Sequence, residues 1–413
     1  MKIFMITRGS QGDVLPYLAT ASELTRRGHE VAINLPTEFE SRVKETGWKY
    51  YLQKEDDISN LLEEQIKDTD AIKWIGRVMD HQCTWLPDVV KGYDVLVATN
   101  TEMAAPTIAE HLGIPFIRTT YAPILPSKII PPPLFPWPKP SRIITPNMLW
   151  YFSRTLGYWG LKKIINKNRA LFGLKPLTKI YDFQHYTSIY GNNALTYSST
   201  LADADPAWDA FSWKSVGYCF NDEEYYDASL YDELMQYVKA DSRPLIFFTI
   251  GSCDYAKAGE FHQMLVEATR KLKYRLIVGA GWSKQVNLYH NDEDVFVLKG
   301  YLPHSMILPH CDAIIHHGGC GTTHSAARFA LPQLHLPLII DQHYWAYQCF
   351  KRGVSPDWLR SQKVDVDLLT EKVRLLIENP KYKTNARRIA NEMSNENGIE
   401  TFCNYIETIG NNK

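Results

Sequence analysis

The stretch HHGGCGTTHSAARFALPQLHLPLIIDQHYWA runs from His316 to Ala346. It gathers paired histidines, three glycines in four positions, two threonines and an Asp-Gln pair. CDAIIHH reads as a buried strand ending at His317, GGCG as a turn, and TTHSAARFA as the opening of a helix. In open parallel sheets ligands sit beyond the carboxyl ends of the strands. A helix that starts there offers unpaired N–H groups and a positive dipole end. Gly318, Gly319 and Gly321 let the backbone approach an anion with no Cβ in the way. Thr322 and Thr323 add hydroxyl donors and His317 a ring donor, so a pyrophosphate suits this loop. The alternative is a plain strand–helix turn with His317 a satisfied buried histidine.

Two other chemistries fit less well. His316 and His317 are neighbours on a strand, so their side chains point to opposite faces and do not easily share one metal ion. A nicotinamide site wants G-x-G-x-x-G after a strand and an acid about 20 residues on. The first loop has only Gly9 and Gly12, and GCGTTH lacks the third glycine. Asp341 and Gln342 could start the next helix, HYWAYQCF, with Asp341 as its N-cap.

These residues need a scaffold, and strand–helix alternation occurs twice. KIFMIT reads as a buried strand, RGSQGD as a loop, VLPYLATASELTRRG as a helix with Pro16 in its first turn and Gly28 at its stop, and HEVAINL as the next strand. The pattern resumes in YDVLVAT, EMAAPTIAEHLG and IPFIRTT. Residues 121–140 hold eight prolines, which excludes regular helix or central strand. A long aromatic-rich helical stretch follows. Alternation restarts with RPLIFFTIGS, FHQMLVEATRKL, YRLIVGA and DVFVLKG, and the last forty-odd residues read as helical. The fold class expected is α/β, with two Rossmann-like, doubly wound parallel-sheet domains facing a cleft. The expected divisions are 1–220, a linker at 221–240, a second domain at 241–395, and a terminal helix at 396–413 returning to the first domain.

Composition narrows the partners. A net charge of −1 gives no basic footprint for nucleic acid. The seven unpatterned cysteines suit reduced thiols and a cytoplasmic protein. The opening apolar run is too short for a secretory signal. No apolar run approaches the roughly 20 residues of a membrane span, which leaves room for peripheral membrane contact. Eight of the eleven tryptophans fall in the first 213 residues. Beside the proline-aromatic insertion they suggest an apolar pocket, with Trp74, Trp85 and Trp137 as candidates and core packing as the alternative.

The His316–Ala346 stretch resembles the donor-binding signature of nucleotide-sugar glycosyltransferases with two Rossmann-like domains (GT-B), nearest the sterol, macrolide and glycopeptide branch. Ala330 stands where the signature has glycine. TRGSQGDVLPYLATASEL is similar to the family's opening motif, and LTYSSTLADADPAWDAFSWKSVGYCF and GYLPHSMILPHCDAIIHHGG are similar to its later segments. The resemblance implies that Asp13 is the catalytic base; read alone, Asp13 would sooner be a helix cap. Ser10 is a neighbouring candidate for acceptor contact. By the same resemblance Ser252 and the loop of His317, Gly319, Cys320, Gly321 and Thr322 take the phosphates. Tyr301 stacks on the base, Leu302 contacts its edge through the backbone, His304 follows, and Asp341 and Gln342 hold sugar hydroxyls. Trp282 is an alternative stacking residue. The family's ribose-binding glutamate is replaced by Ser325.

The implied reaction is a single inverting displacement. It moves a hexose from a nucleotide diphosphate, UDP-glucose first, to a hydroxyl of a small lipophilic acceptor. No metal or separate cofactor is expected, and the DAD at 203–205 lies far from the donor motifs. A nucleotide-sugar epimerase or hydrolase, and a non-catalytic partner of the same fold, are the competing classes. Either a monomer or a homodimer is compatible with the sequence.

Overall fold

The computed structural model describes residues 1–53, 68–133, 143–222, 226–251, 258–279, 291–339, 341–360 and 363–411. Seven strands form the first sheet: β1 (Lys2–Ile6), β2 (Glu30–Pro36), β3 (Lys49–Gln53), β4 (Val95–Thr99), β5 (Phe116–Thr120), β6 (Asn192–Leu195) and β7 (Trp213–Ser215). Five form the second: β8 (Leu245–Thr249), β9 (Arg275–Gly279), β10 (Val295–Leu298), β11 (Ala313–His316) and β12 (Gln333–His335). The helices are α1 (Gln11–Arg26), α2 (Glu40–Val43), α3 (Asp68–Val90), α4 (Ala105–Leu112), α5 (Pro146–Leu171), α6 (Ile180–Gln184) and α7 (Ala228–Ala240). They continue with α8 (Ala258–Lys271), α9 (His304–Ile307), α10 (Cys320–Arg328), α11 (Gln342–Lys351), α12 (Val366–Glu378), α13 (Pro380–Met393) and α14 (Gly398–Asn411).

Every strand pair in both sheets is parallel. The orders are 3-2-1-4-5-6-7 and 10-9-8-11-12. The order in which strands are added therefore reverses once in each sheet, between β1 and β4 in the first and between β8 and β11 in the second. Crevices for ligands open at such switch points. Alternation along the strands explains the layers. Ile3 and Met5 of β1 enter one core with α1, while Phe4 and Ile6 enter the other. Ile246 and Phe248 of β8 divide from Leu245 and Phe247 in the same way. Strands buried on both faces give the continuous apolar runs seen in the sequence.

The α1 region departs from expectation. The helix starts at Gln11, so Asp13 lies in its first turn and not in a loop before it. Ser10 is the N-cap, which replaces the reading of Asp13 as the cap. The cause is one arm of a capping box: the Asp13 carboxylate accepts the Ser10 N–H at 2.9 Å, and the helix begins earlier. Pro16 consequently falls in the second turn. Gly28, at φ +87°, stands past the helix end as expected.

The two sheets are joined by a shared apolar layer that includes Tyr197, Trp208, Tyr218, Trp345, Ile389 and Met393. Polar contacts fix it. Glu396 accepts hydrogen bonds from the hydroxyls of Ser198, Ser199 and Thr200. Asp203 pairs with Lys351 and Arg352 at 2.7 and 2.6 Å, so the DAD segment is an interdomain strap. The α14 helix lies on α1: Glu407 meets Arg27 and His29, and Phe402, Cys403 and Ile406 enter the α1 core. No described helix is long and apolar enough to cross a membrane.

Candidate active site

Two helix N-termini meet where the switch points face each other. In the second sheet β11 ends at His316 and α10 starts at Cys320, with Gly319 as N-cap and no side chain capping it. The first intrahelical bond is Thr323 N–H to the Gly319 carbonyl at 3.0 Å. The N–H groups of the first turn, Cys320 to Thr322, thus lack intrahelical acceptors and point out of the helix end. Opposite stands the first turn of α1. A Cβ on Gly321 would lie 3.5 Å from Gly12 Cα and 2.8 Å from the Tyr218 hydroxyl. Two positive dipole ends this close repel unless negative charge sits between them.

Asp13 lies in the first turn of α1, beside this junction. Its Oδ2 accepts the Ser10 N–H at 2.9 Å and lies 3.4 Å from the Ser10 hydroxyl. Its carbonyl accepts Tyr121 Oη at 2.8 Å and Thr7 Oγ1 at 3.0 Å. Gly9, at φ +123°, is required here: a Cβ would fall 2.3 Å from Asp13 Oδ2. Burial raises the Asp13 carboxyl to about 6, against the lowering effect of both Ser10 bonds. Asp341, at the start of α11, is raised to about 7, by burial first and then by the Asp13 charge. The Asp341 carboxyl therefore senses the Asp13 charge from the other domain. Asp341 occupies the N-cap position of α11 without a side-chain capping bond.

The histidine pair divides as the strand dictates. His316 turns into the core, its Nε2 3.0 Å from Gln333 Oε1, its Nδ1 accepting the Gly318 N–H, and its ring 4.5 Å from that of His335. His317 turns to the cleft side, packed between two glycine backbones. Added Cβ atoms would lie 2.7 Å from its Cε1 at Gly251 and 2.4 Å from its Nε2 at Gly319. Burial, then nearby His304, lowers the His317 ring to about 4, and burial does the same for His304. Both rings are neutral at pH 7, so His317 can donate through only one nitrogen.

The remaining candidates are distributed unequally. Leu302 is buried under the second sheet. Tyr301 sits beneath the Arg42 guanidinium, 5.2 Å from its ring centroid, so the first domain reaches across to this ring. Gln342 is buried, and its Oε1 accepts the N–H groups of Leu338 and Ile339 at 2.8 and 3.1 Å, which commits that oxygen to the loop. Trp85 packs on Tyr51 and His81 at the edge of the first core. Trp74 lies under Arg8 at 5.7 Å. Ser252, Trp282 and Trp137 lie outside the described residues.

Sequence reasoning missed the parts that brace the site. Arg8, just beyond β1, pairs with Glu102, just beyond β4, at 2.9 Å with side chains 1% and 0% exposed. Gln82 donates to the other Glu102 oxygen at 2.5 Å. This pair clamps the switch point beside Asp13. A charged residue within three positions of the end of each of two buried strands was its only signal. His324 of α10 accepts the Ser198 N–H at 3.0 Å, and its Nδ1 contacts the Cys320 carbonyl at 2.7 Å. Its ring stacks on Tyr218 at 4.8 Å. Among the described residues no three His, Cys, Asp or Glu side chains converge as a metal site.

Residues 3–131 match the glycosyltransferase family 28 N-terminal domain, and residues 273–401 the erythromycin biosynthesis protein CIII-like C-terminal domain. The sterol 3-beta-glucosyltransferase of Candida albicans is 25% identical over 96% of this chain and 27% of its own length. The Arabidopsis thaliana sterol 3-beta-glucosyltransferase UGT80A2 is 25% identical over 97% of this chain and 64% of its length. The chain thus spans about a quarter to two thirds of these relatives. The kitacinnamycin glycosyltransferase structure superposes with a TM-score of 0.75 at 17% identity, covering 99% of this chain and 98% of that one. The glycosyltransferase VinC, solved with dTDP, gives 0.70 at 19%, covering 100% of both. Each half thus matches a different family model, one of them a glycosyltransferase N-terminal domain, and the fold of two Rossmann-like domains is shared from end to end with solved glycosyltransferases.

Proposed function

We propose that the protein transfers a hexose, glucose first, from a nucleotide diphosphate to a hydroxyl of a lipophilic acceptor, inverting the anomeric centre. The observation that carries this reading is the pair of facing helix N-termini with Asp13 on one side and Asp341 on the other. The diphosphate would lie at the first turn of α10, against the N–H groups of Cys320, Gly321 and Thr322 and the His317 ring. Tyr301 would face the base and Asp341 the sugar hydroxyls. The acceptor oxygen attacks the anomeric carbon, the bond to the diphosphate oxygen breaks, and the acceptor proton passes to Asp13. Charge growing on the leaving diphosphate is stabilised by fixed backbone dipoles, which need no reorganisation. A carboxyl near 6 is mostly ionised at pH 7 and still basic enough to accept that proton.

Glucose is the first sugar because the sequence relatives are named as glucosyltransferases; UDP-glucose and TDP-glucose are the donors to test, the latter because VinC was solved with dTDP. The test is to incubate the protein with each donor and a panel of sterols, polyphenols and macrolides, following nucleotide release and product mass. A product heavier by one hexose, with inverted configuration, supports the reading. Nucleotide release without any glycoside favours a hydrolase, and neither product nor release rejects the transferase.

A further inference from the structure

The α5 helix presents apolar side chains outward as well as inward. Leu149, Trp150, Tyr158, Leu161 and Ile165 are buried, three of them in the core shared with α3 and α4. On the other side Met148, Tyr151, Leu156 and Trp159 are 55, 55, 55 and 73% exposed. Spacings of three, five and three place these four on one helical face. The row continues beyond the N-terminus into Ile143, 84% exposed. Ile129, also exposed, joins at the same end, since the neighbouring Ile130 carbonyl accepts the Trp150 indole N–H at 2.8 Å. Single exposed apolar residues are ordinary, but a contiguous row of large ones marks an interaction surface.

Charge indicates the partner. The whole chain is balanced, with 45 basic and 46 acidic residues, yet between Tyr121 and Tyr181 there are ten lysines and arginines and no Asp or Glu. Some are used internally: Arg169 binds Glu110 and Lys167 binds Asp80. Lys128 and Lys163 are exposed beside the apolar row, Lys163 one turn beyond Trp159. A helix with aromatic and aliphatic residues on its outer face, flanked by lysines, suits the boundary between lipid headgroups and acyl chains. Basic clusters at that depth favour anionic lipid.

We propose that the outer face of α5 docks the protein on an anionic membrane surface, with Met148, Tyr151, Leu156 and Trp159 entering the headgroup boundary and Lys128 and Lys163 meeting lipid phosphates. The location has a consequence for the reaction, which rests on the transferase reading. The segment that leaves the cleft at Tyr121, bonded to the Asp13 carbonyl, ends at Ile130, bonded to Trp150. Ten residues connect the base to the docking face, so an acceptor dissolved in the bilayer has a short route to Asp13.

The test uses the full chain and co-sedimentation with vesicles of phosphatidylcholine alone or mixed equally with phosphatidylglycerol. Wild type is expected on the mixed vesicles, less at high salt and less on neutral ones. Leu156→Glu combined with Trp159→Glu should weaken vesicle binding at least about tenfold, because two large apolar contacts become charged. Lys128→Glu combined with Lys163→Glu should abolish the preference for anionic lipid. Both variants change exposed side chains and should keep the wild-type unfolding midpoint. The proposal is overturned if wild type binds neither vesicle, if the apolar variant binds as wild type does, or if that variant instead converts a lipid-independent dimer to monomer. Vesicle binding without hexose transfer would sink the transferase reading and leave the docking face standing.

Discussion

Replacing Asp13 by Asn separates the two jobs this residue holds. The amide keeps an oxygen to accept the Ser10 N–H, so the capping box and the start of α1 survive. The proton acceptor is lost. General base catalysis is worth about 10²–10⁴-fold, and turnover should fall in that range. Stability should move the other way. The carboxyl is raised from 3.8 to about 6 on folding. At about 1.4 kcal/mol per pKa unit, the ionised form costs on the order of 3 kcal/mol, an upper figure because the group keeps partial solvent contact. A raised acid pKa means the folded state binds the proton more tightly. This group therefore favours folding most below pH 3.8, and that contribution is lost as pH rises through about 6. Asp13→Asn should thus melt above wild type at pH 7 to 8, with the gap closing towards pH 4. Removing the charge should also lower the Asp341 carboxyl from about 7, shifting any acid limb of the wild-type rate, which belongs to the pair. Initial rates of nucleotide release and thermal melts across this range decide the matter. Turnover within about threefold of wild type refutes the base assignment, since base removal costs far more. Lost turnover with a lower melting midpoint refutes the separation of chemistry from capping.

Acid should destabilise the second domain first. His304, His317 and His324 are lowered to about 4 and His335 to about 3, all by burial foremost. A depressed histidine contributes fully above its unfolded value of 6.5 and loses that contribution as pH falls towards 4, at up to about 1.4 kcal/mol per pH unit per group; intrinsic fluorescence melts showing equal stability at pH 7 and 5 would contradict this. Gly319→Ala places a Cβ 2.4 Å from His317 Nε2, so the buried ring must move; the unfolding midpoint should fall and the donor KM rise at least about tenfold, a shift worth about 1.4 kcal/mol of donor binding; unchanged donor titrations would count against a phosphate role for this loop. Glu102→Gln leaves Arg8 buried without its carboxylate and should cost about 3–5 kcal/mol, read by urea denaturation. A loss under about 1 kcal/mol would mean the clamp is solvated.

The strand–turn–helix signal at Ala313 to Arg328 was readable because buried parallel strands are apolar throughout and glycine marks the turn. Strands β3, β6, β7 and β12 were not readable. They are three to five residues long, β6 and β12 carry polar residues such as Asn192, Asn193 and Gln333, and β6 owes its pairing to β5, on the far side of the α5 insertion. Asp13 illustrates the limit most clearly. Its presence near the first strand was visible, but its place in the first helical turn depended on its carboxylate accepting the Ser10 N–H, and its elevated pKa on burial that only the folded chain creates.

The sequence alone determined the two α/β halves and the glycine-rich strand–helix turn, because these follow from local periodicity and backbone chemistry; the roles expected of Asp13 and Asp341 came from the family resemblance. Only the tertiary structure decided that α1 and α10 point their N-termini at each other, that Arg8 and Glu102 clamp the switch point, and that the outer face of α5 stays uncovered. Such facts depend on which residues are brought together from opposite ends of the chain and which are left to solvent, and no local pattern encodes that.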